Sequence, residues 1–244
     1  MNRARVQGVT CGLITTGSDD DFELAEAAAR QFHWGYCVGI HPLFVEQVHD
    51  DALTHLERFL GNHLDDPYLI GIGEIGLDLY EEHPDYERQA FFFRAQMALA
   101  EKFSLPVSLH ARRALSRVIE VMDEFSTVKG AVHAFPGSFE QACEVIRRGY
   151  GIGFGGALTY EGSKKLRKCA AAVPEEAILL ETDAPDMAPS YRRGDRSEPA
   201  DLIDYLEVLS SIRGRSPELL KERIFKNTLT FFPRLRYFFN SENR

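Results

Sequence analysis

Four residues able to hold a metal ion or move a proton stand where apolar runs stop: Glu74 after IGIG, His110 after PVSL, His133 after GAV and Asp183 after LLET. A fifth, His41, follows VGI. Imidazole and carboxylate are the donors that bind Zn²⁺, Mn²⁺ or Mg²⁺, and a carboxylate can bridge two ions. A site of that kind lowers the pKa of bound water and clamps the oxygens of an ester under attack. Singly, each residue has an ordinary explanation, since a His at a strand end finds a hydrogen-bond partner and an Asp in TDAP can cap a turn. Their recurrence at the ends of several runs is what points to chemistry. Arg112 and Arg113 follow His110, and Arg192, Arg193 and Arg196 follow Asp183, so five guanidinium groups are candidates to receive phosphate. Solvated loops would explain the same arginines without a ligand.

Other residues of reactive type carry no pattern. His49, His55 and His63 are spaced by six and eight, unlike the i, i+4 pair of a helical zinc site, and His33 and His83 stand alone. Cys11, Cys37, Cys143 and Cys169 are far apart with no CxxC, which reads as buried free thiols rather than disulfides or structural zinc. The run Phe91-Phe92-Phe93 reads as core on a helix kept amphipathic by Arg88, Gln89, Arg94 and Gln96, in preference to a membrane or partner patch.

The elements that must position these residues alternate. Strand candidates are 9–15, 35–40, 68–73, 106–109, 130–133, 150–155 and 177–181, with helical periods near 19–31, 48–64, 85–103, 112–125, 138–148 and 162–173 and two more near 199–213 and 216–231. Ser18 before three aspartates and Ser138 with Gln141 read as helix starts, and Gly149 reads as a stop. The strands are continuously apolar, as in a parallel sheet covered on both faces. An α/β protein with a doubly wound sheet or a (β/α)₈ barrel follows. Ligand-type residues at the ends of five of the seven strands favour the barrel, which collects its site from many strands, over an open sheet with one switch point. GIGFGG lies within a strand and lacks the spacing of a dinucleotide loop. A TIM (β/α)₈-type barrel with seven recognisable strand–helix units is one unit short, the first βα unit being missing or truncated.

The 244 residues, 44% apolar and 27% charged, suffice for a full-sized core in one domain spanning 1–244. The net charge of −9 argues against a broad basic surface for nucleic acid, although metal ions can supply positive charge locally to a phosphate substrate. No apolar run nears the roughly 20 residues of a membrane span, and MNRARVQGVT lacks the features of a secretory signal, so a cytoplasmic protein is expected, monomeric by preference.

GIHP at 39–42, GEIGLD at 73–78, LPVSLHARRA at 105–114, VHAFPGS at 132–138 and LLETDAPDMAP at 179–189 together resemble the TatD family of metal-dependent deoxyribonucleases, which are amidohydrolase-like TIM barrels. The likeness runs in order from about Val6 to the C-terminus. It implies that Glu74 bridges two divalent metals, that His110 and His133 complete one metal site, and that Asp183 belongs to the other and orients the attacking water. It also implies a phosphate or supporting contact for His41. Two departures stand out. The family's opening Asp-Thr-His-x-His is absent, no His preceding His33, and Arg196-Ser197-Glu198-Pro199 has Ser where the family has Asn. The missing motif agrees with the missing strand, together roughly 25–30 residues. Either the start is internal to a longer product, the preferred expectation because the remaining ligands are intact, or the chain keeps half a metal centre. The implied function is a divalent-metal hydrolase (Mg, Mn or Zn; two ions in an intact member, one expected here) cleaving DNA ends or single strands. A hydrolase of another ester or lactone, and a non-catalytic binding protein with a degraded metal site, are the alternatives.

Overall fold

A computed structural model describes residues 2–80 and 85–240; His83 lies outside the described residues. Seven strands occur in chain order: β1 (Leu13–Ile14), β2 (Gly35–Val38), β3 (Leu69–Asp78), β4 (Val107–Arg112), β5 (Gly130–Val132), β6 (Tyr150–Phe154) and β7 (Ile178–Leu180). The helices are α1 (Asn2–Val6), α2 (Phe22–Phe32), α3 (Ala52–His63), α4 (Tyr86–Phe103), α5 (Leu115–Glu124), α6 (Phe139–Arg147), α7 (Lys164–Ala172), α8 (Leu202–Arg213) and α9 (Pro217–Phe231). All seven expected strands and eight expected helices are present. The five-residue α1 and a 3₁₀ segment at Pro233–Phe239 carry too little periodicity to be read from sequence. The expected first strand, 9–15, contracts to Leu13–Ile14.

The chain divides into two compact units, one of residues 11–131 with 231–240, the other of residues 2–10 with 132–230. In the first, β1 to β4 lie side by side in chain order, all parallel. β2 is buried throughout and β3 at every position but Glu74, the continuous burial expected of strands covered on both faces. Helices close over them with Phe22 and Ala29, Leu56 and Leu60, and Phe93 and Met97, each essentially inaccessible. Of the phenylalanine run, Phe92 and Phe93 are buried while Phe91 is 63% exposed, so the run straddles the edge of the core. Arg234 donates from Nη2 to the carbonyls of Leu64 and Asp66, both at 2.8 Å, and so ties the C-terminal segment to the end of α3.

In the second unit β6 and β7 pair in parallel, Ile152 opposite Ile178 and Phe154 opposite Leu180. Tyr150, Ile152 and Ile178 are buried, as are Val145, Cys169, Tyr205 and Leu220 of the helices. Ser138 caps α6 with Gln141 in the reciprocal arrangement expected of a capping box. Asn227 of α9 is buried and donates to the carbonyls of Glu175 (2.6 Å) and Ile178 (2.9 Å), docking that helix at the start of β7.

All four cysteines are free thiols; Cys37 and Cys169 are buried, whereas Cys11 and Cys143 are only partly so. Burial, outweighing hydrogen bonds to the backbone of Gly35 and Gly12, pushes the Cys11 thiol up to about 11, and burial with the nearby Glu74 charge raises Cys37 further. Because the thiolate is the nucleophile, brief iodoacetamide treatment at pH 8 should modify Cys143 while leaving Cys37 and Cys11 intact, as read by peptide mass mapping. Rapid labelling of Cys37 would show that the sheet opens locally. No helix among the described residues is long and apolar enough to cross a membrane.

Candidate metal centre

Glu74 does not follow β3, as the sequence suggests, but lies within it. Ile72 sits opposite Val107 and Ile75 opposite Leu109, so β3 uses three steps where β4 uses two. An irregularity of this kind re-aims a side chain, and Glu74 is the one β3 residue that is not buried. Thr16 brackets it, its N–H donating to the Gly73 carbonyl and its carbonyl accepting from Glu74 N–H, both at 3.3 Å. The Thr16 hydroxyl also spans Gly39, donating to its carbonyl (2.7 Å) and accepting from its N–H (2.8 Å). Thr15 Oγ1 donates to Glu74 Oε1 at 3.0 Å, leaving Oε2 facing two imidazoles: His41 Nε2 at 3.9 Å and His110 Nδ1 at 4.0 Å. The two rings meet edge to face with centroids 4.4 Å apart.

His110 lies inside β4 rather than after it, opposite Gly76. Gly76 has φ +142°, and a Cβ there would come within 3.0 Å of the His110 backbone nitrogen, so only glycine lets the two strands approach at this point. His110 Nε2 is held at 2.9 Å by Oδ2 of Asp78, whose side chain is completely buried. Oδ1 of the same carboxylate accepts from Tyr80 N–H, also at 2.9 Å. Burial favours the neutral acid, but the hydrogen bonds from His110 and Tyr80, with the charges of His110 and Arg112, outweigh it and hold Asp78 below the usual carboxylate range. His41 is arranged differently. Its Nδ1 accepts from Leu43 N–H at 3.2 Å, so in the neutral ring Nε2 carries the proton.

Two amides of α4 stand behind these groups. Gln96 accepts from Ile40 N–H (2.7 Å) and donates to Ile40 O (3.1 Å), while Gln89 accepts from Asp78 N–H (2.9 Å) and donates to Asp78 O (3.0 Å). Seven residues apart, they share one face of the helix, and both are buried. They therefore do not form the polar side of α4 expected from the sequence; they clamp the strand backbone beside His41 and at Asp78.

In the 132–230 unit, His133 follows β5 and is buried. Its Nδ1 lies 3.2 Å from Oε1 of Glu181 and its Nε2 3.9 Å from Oδ1 of Asp183. Glu181 also accepts from Ala134 N–H, and its own N–H donates to Phe154 O at 3.0 Å. A Cβ on Gly153 would come within 2.6 Å of the Glu181 carboxyl carbon, so this glycine makes room for the acid. Asp183 is partly exposed in the loop after β7.

The arginines separate into two groups. Arg112 and Arg113 are exposed and lie over the Tyr80 ring, 3.5 and 4.4 Å from its centroid. Arg192 is committed to Asp201 and faces Glu198 at 4.0 Å, whereas Arg193 and Arg196 are exposed. Thr15, Gln89 and Gln96 carry no motif that sets them apart, and Asp78 and Glu181 lie in motifs where only their neighbours are singled out. The aspartate of GEIGLD and the glutamate of LLETD, each beside a candidate ligand, were the available signal.

The donor chemistry fits a divalent cation. His110 and His133 each turn one ring nitrogen toward Glu74 or Asp183 respectively while the other is taken by a second carboxylate, the usual environment of a metal-ligating histidine.

Comparison with known proteins agrees. The family model for "TatD related DNase" matches residues 1–233. The "Uncharacterized metal-dependent hydrolase YjjV" of Escherichia coli K12 is 32% identical over 234 residues, covering 95% of this chain and 90% of that protein. The "3'-5' ssDNA/RNA exonuclease TatD" of Erwinia tasmaniensis is 34% identical over 224 residues, covering 88% and 85%. The crystal structure of the Escherichia coli YjjV protein superposes with a TM-score of 0.91 at 31% identity, covering 95% of this chain and 90% of that one. A TatD family hydrolase from Entamoeba histolytica shares the fold, with a TM-score of 0.81 at 24% identity and coverage of 95% and 87%. The α/β fold is thus of the TIM-barrel type, and the chain belongs to the TatD-related DNase family of metal-dependent hydrolases.

Proposed function

We propose that the protein hydrolyses phosphodiester bonds of DNA, at strand ends or in single strands. The observation that carries this is the pair of carboxylate-backed imidazoles, His110 with Asp78 and His133 with Glu181. Relatives named as 3′-5′ single-stranded DNA/RNA exonucleases support the choice of substrate. Glu74, His110, His133 and Asp183 would hold divalent metal. When bound, the metal supplies Lewis acidity toward a phosphoryl oxygen and lowers the pKa of water. In one unit Glu74 and His110, and in the other His133 and Asp183, are the groups that would hold it, each histidine turning one ring nitrogen toward its carboxylate.

The chain's own groups do the rest. Asp183 and Glu74 orient the attacking water by accepting its hydrogen bonds. His41, with its proton on Nε2, donates to a phosphoryl oxygen and stabilises the charge that grows there. Arg112 and Arg113, preset by the Tyr80 ring, pair with phosphates of the bound strand, and Arg192, Arg193 and Arg196 extend that role. Four free thiols suit a cytoplasmic setting, and a monomer suffices for this chemistry.

End-labelled single-stranded DNA incubated with the protein and Mn²⁺ or Mg²⁺ should release nucleotides, and Arg112→Ala should raise KM about tenfold with less effect on kcat. No metal-dependent release, with hydrolysis of a lactone panel that survives Arg112→Ala, would assign the site to another ester instead.

A further inference from the structure

Beside the candidate centre, one short turn leaves two large apolar side chains in water. Pro42–Phe44 forms a 3₁₀ turn directly after His41, and Leu43 and Phe44 are 40% and 39% exposed although Pro42 before them and Val45 after them are buried. We propose that the Phe44 ring is a stacking platform for an unpaired nucleobase, that of the nucleotide whose phosphate meets His41, and so selects single strands over duplex. This rests on the phosphodiester reading above.

The ring is held ready. Phe44 N–H donates to His41 O at 2.9 Å, Gln47 N–H to Phe44 O at 2.8 Å, and Arg88 Nε to Val45 O at 2.6 Å, so the turn cannot shift without breaking hydrogen bonds. On one side the ring lies against Gly17, where a Cβ would come within 2.9 Å of Phe44 Cε2; the absent side chain is the room the ring occupies. On another it meets the His41 ring at 67°, with centroids 6.1 Å apart. An apolar surface already ordered in this way loses little conformational freedom when a base covers it. Tyr80, also exposed, is not equivalent, because the guanidinium groups of Arg112 and Arg113 lie 3.5 and 4.4 Å from its ring centroid.

A nucleotide carries its base one sugar away from its phosphate, and Phe44 stands one ring away from His41. A phosphoryl oxygen that accepts from His41 therefore leaves its base within reach of Phe44. A phenyl ring has no hydrogen-bonding group, so it takes any base by its face. In a duplex that base is paired at its edge and covered by its neighbours, and must be unstacked first. In a single strand or a frayed end it is free to turn.

The test measures, by fluorescence anisotropy in Mn²⁺ buffer, binding of a labelled, hydrolysis-resistant phosphorothioate single strand to the whole chain. Phe44→Ala should weaken binding about tenfold, Phe44→Leu nearly as much because it keeps apolar bulk without a π face, and Phe44→Trp should match or exceed the parent. Gly17→Ala, which displaces the ring without removing it, should weaken binding in the same direction. Affinity for a blunt duplex should change by less than about twofold in each. An abasic scan gives the sharpest reading. At one position, removing the base should weaken binding by the parent about tenfold and by Phe44→Ala hardly at all, a coupling that a merely structural role would not confine to one nucleotide.

Full affinity for the single strand in Phe44→Ala or Phe44→Leu, an equal loss toward duplex, abasic losses that simply add to the substitution, or no binding by the parent would overturn the proposal. Coupling at one position without metal-dependent cleavage of ordinary DNA would overturn the hydrolysis reading and leave the platform standing. Cleavage of DNA with unaltered affinity in Phe44→Ala would do the reverse.

Discussion

Glu74→Ala is expected to lower metal-dependent DNA cleavage about a thousandfold or more while the protein remains folded. Glu74 offers Oε2 to the space shared with His41 and His110, and its other oxygen is fixed by Thr15. Removing it deletes a metal ligand and an acceptor for the attacking water together. Losing about 4 kcal/mol of transition-state stabilisation, in the range for a metal clamp, corresponds to three orders of magnitude. Stability should change little, because Glu74 is the one residue of β3 that is not buried. Glu74→Gln makes the comparison sharper, since the amide keeps the volume and can still accept from Thr15 but lacks the charge. Cleavage by Glu74→Gln within tenfold of the parent would show that this residue is not a ligand. Circular dichroism melts run beside the assay separate loss of chemistry from loss of fold.

Gln96→Leu should be strongly destabilising. The leucine nearly matches the volume but leaves Ile40 N–H and Ile40 O buried without partners. Each orphaned backbone group costs about 1–3 kcal/mol, so roughly 2–6 kcal/mol is expected, a fall in Tm of roughly 4–24 °C. Gln89→Leu should behave alike by releasing Asp78, with an added loss of Mn²⁺ affinity that Gln96→Leu does not share to the same degree. Because the two amides hold different strands, their effects should add within about 0.5 kcal/mol. An unchanged melting temperature in Gln96→Leu would mean that water replaces the amide and that α4 packs less closely than described.

Those glutamines mark the limit of what the sequence discloses. Apolar runs ending in His or Asp disclose the strands and the candidate ligands, because a buried parallel strand leaves few places for such residues. The ends of strands are less legible: Glu74 and His110 sit inside β3 and β4, since pairing continues past the last apolar residue where neighbouring backbone is there to meet it. Gln89 and Gln96 beside a phenylalanine run look like the wet side of a helix. Only the three-dimensional packing reveals that an amide can substitute for backbone partners that a strand has run out of. Asp78 and Glu181 were hidden for a similar reason, as a second carboxylate inside a motif gives no sign of which imidazole it faces.

The segment 233–239 has a bearing on how the molecule is made. It belongs with residues 11–131, where Leu235 and Phe238 are buried and Arg234 caps the end of α3 some 170 positions earlier. During synthesis those early strands and helices emerge first, yet their last covering pieces are still inside the ribosome. The intervening 132–230 unit must be threaded out before the first can be sealed, so each nascent chain leaves the surfaces of β3 and the end of α3 that this segment covers exposed for most of its elongation. Contacts of such long separation form slowly and leave the incomplete protein dependent on protection from its neighbours. Shortening the chain by its last dozen residues would thus be felt most by its earliest-made half, as aggregation during expression rather than as damage near the cut.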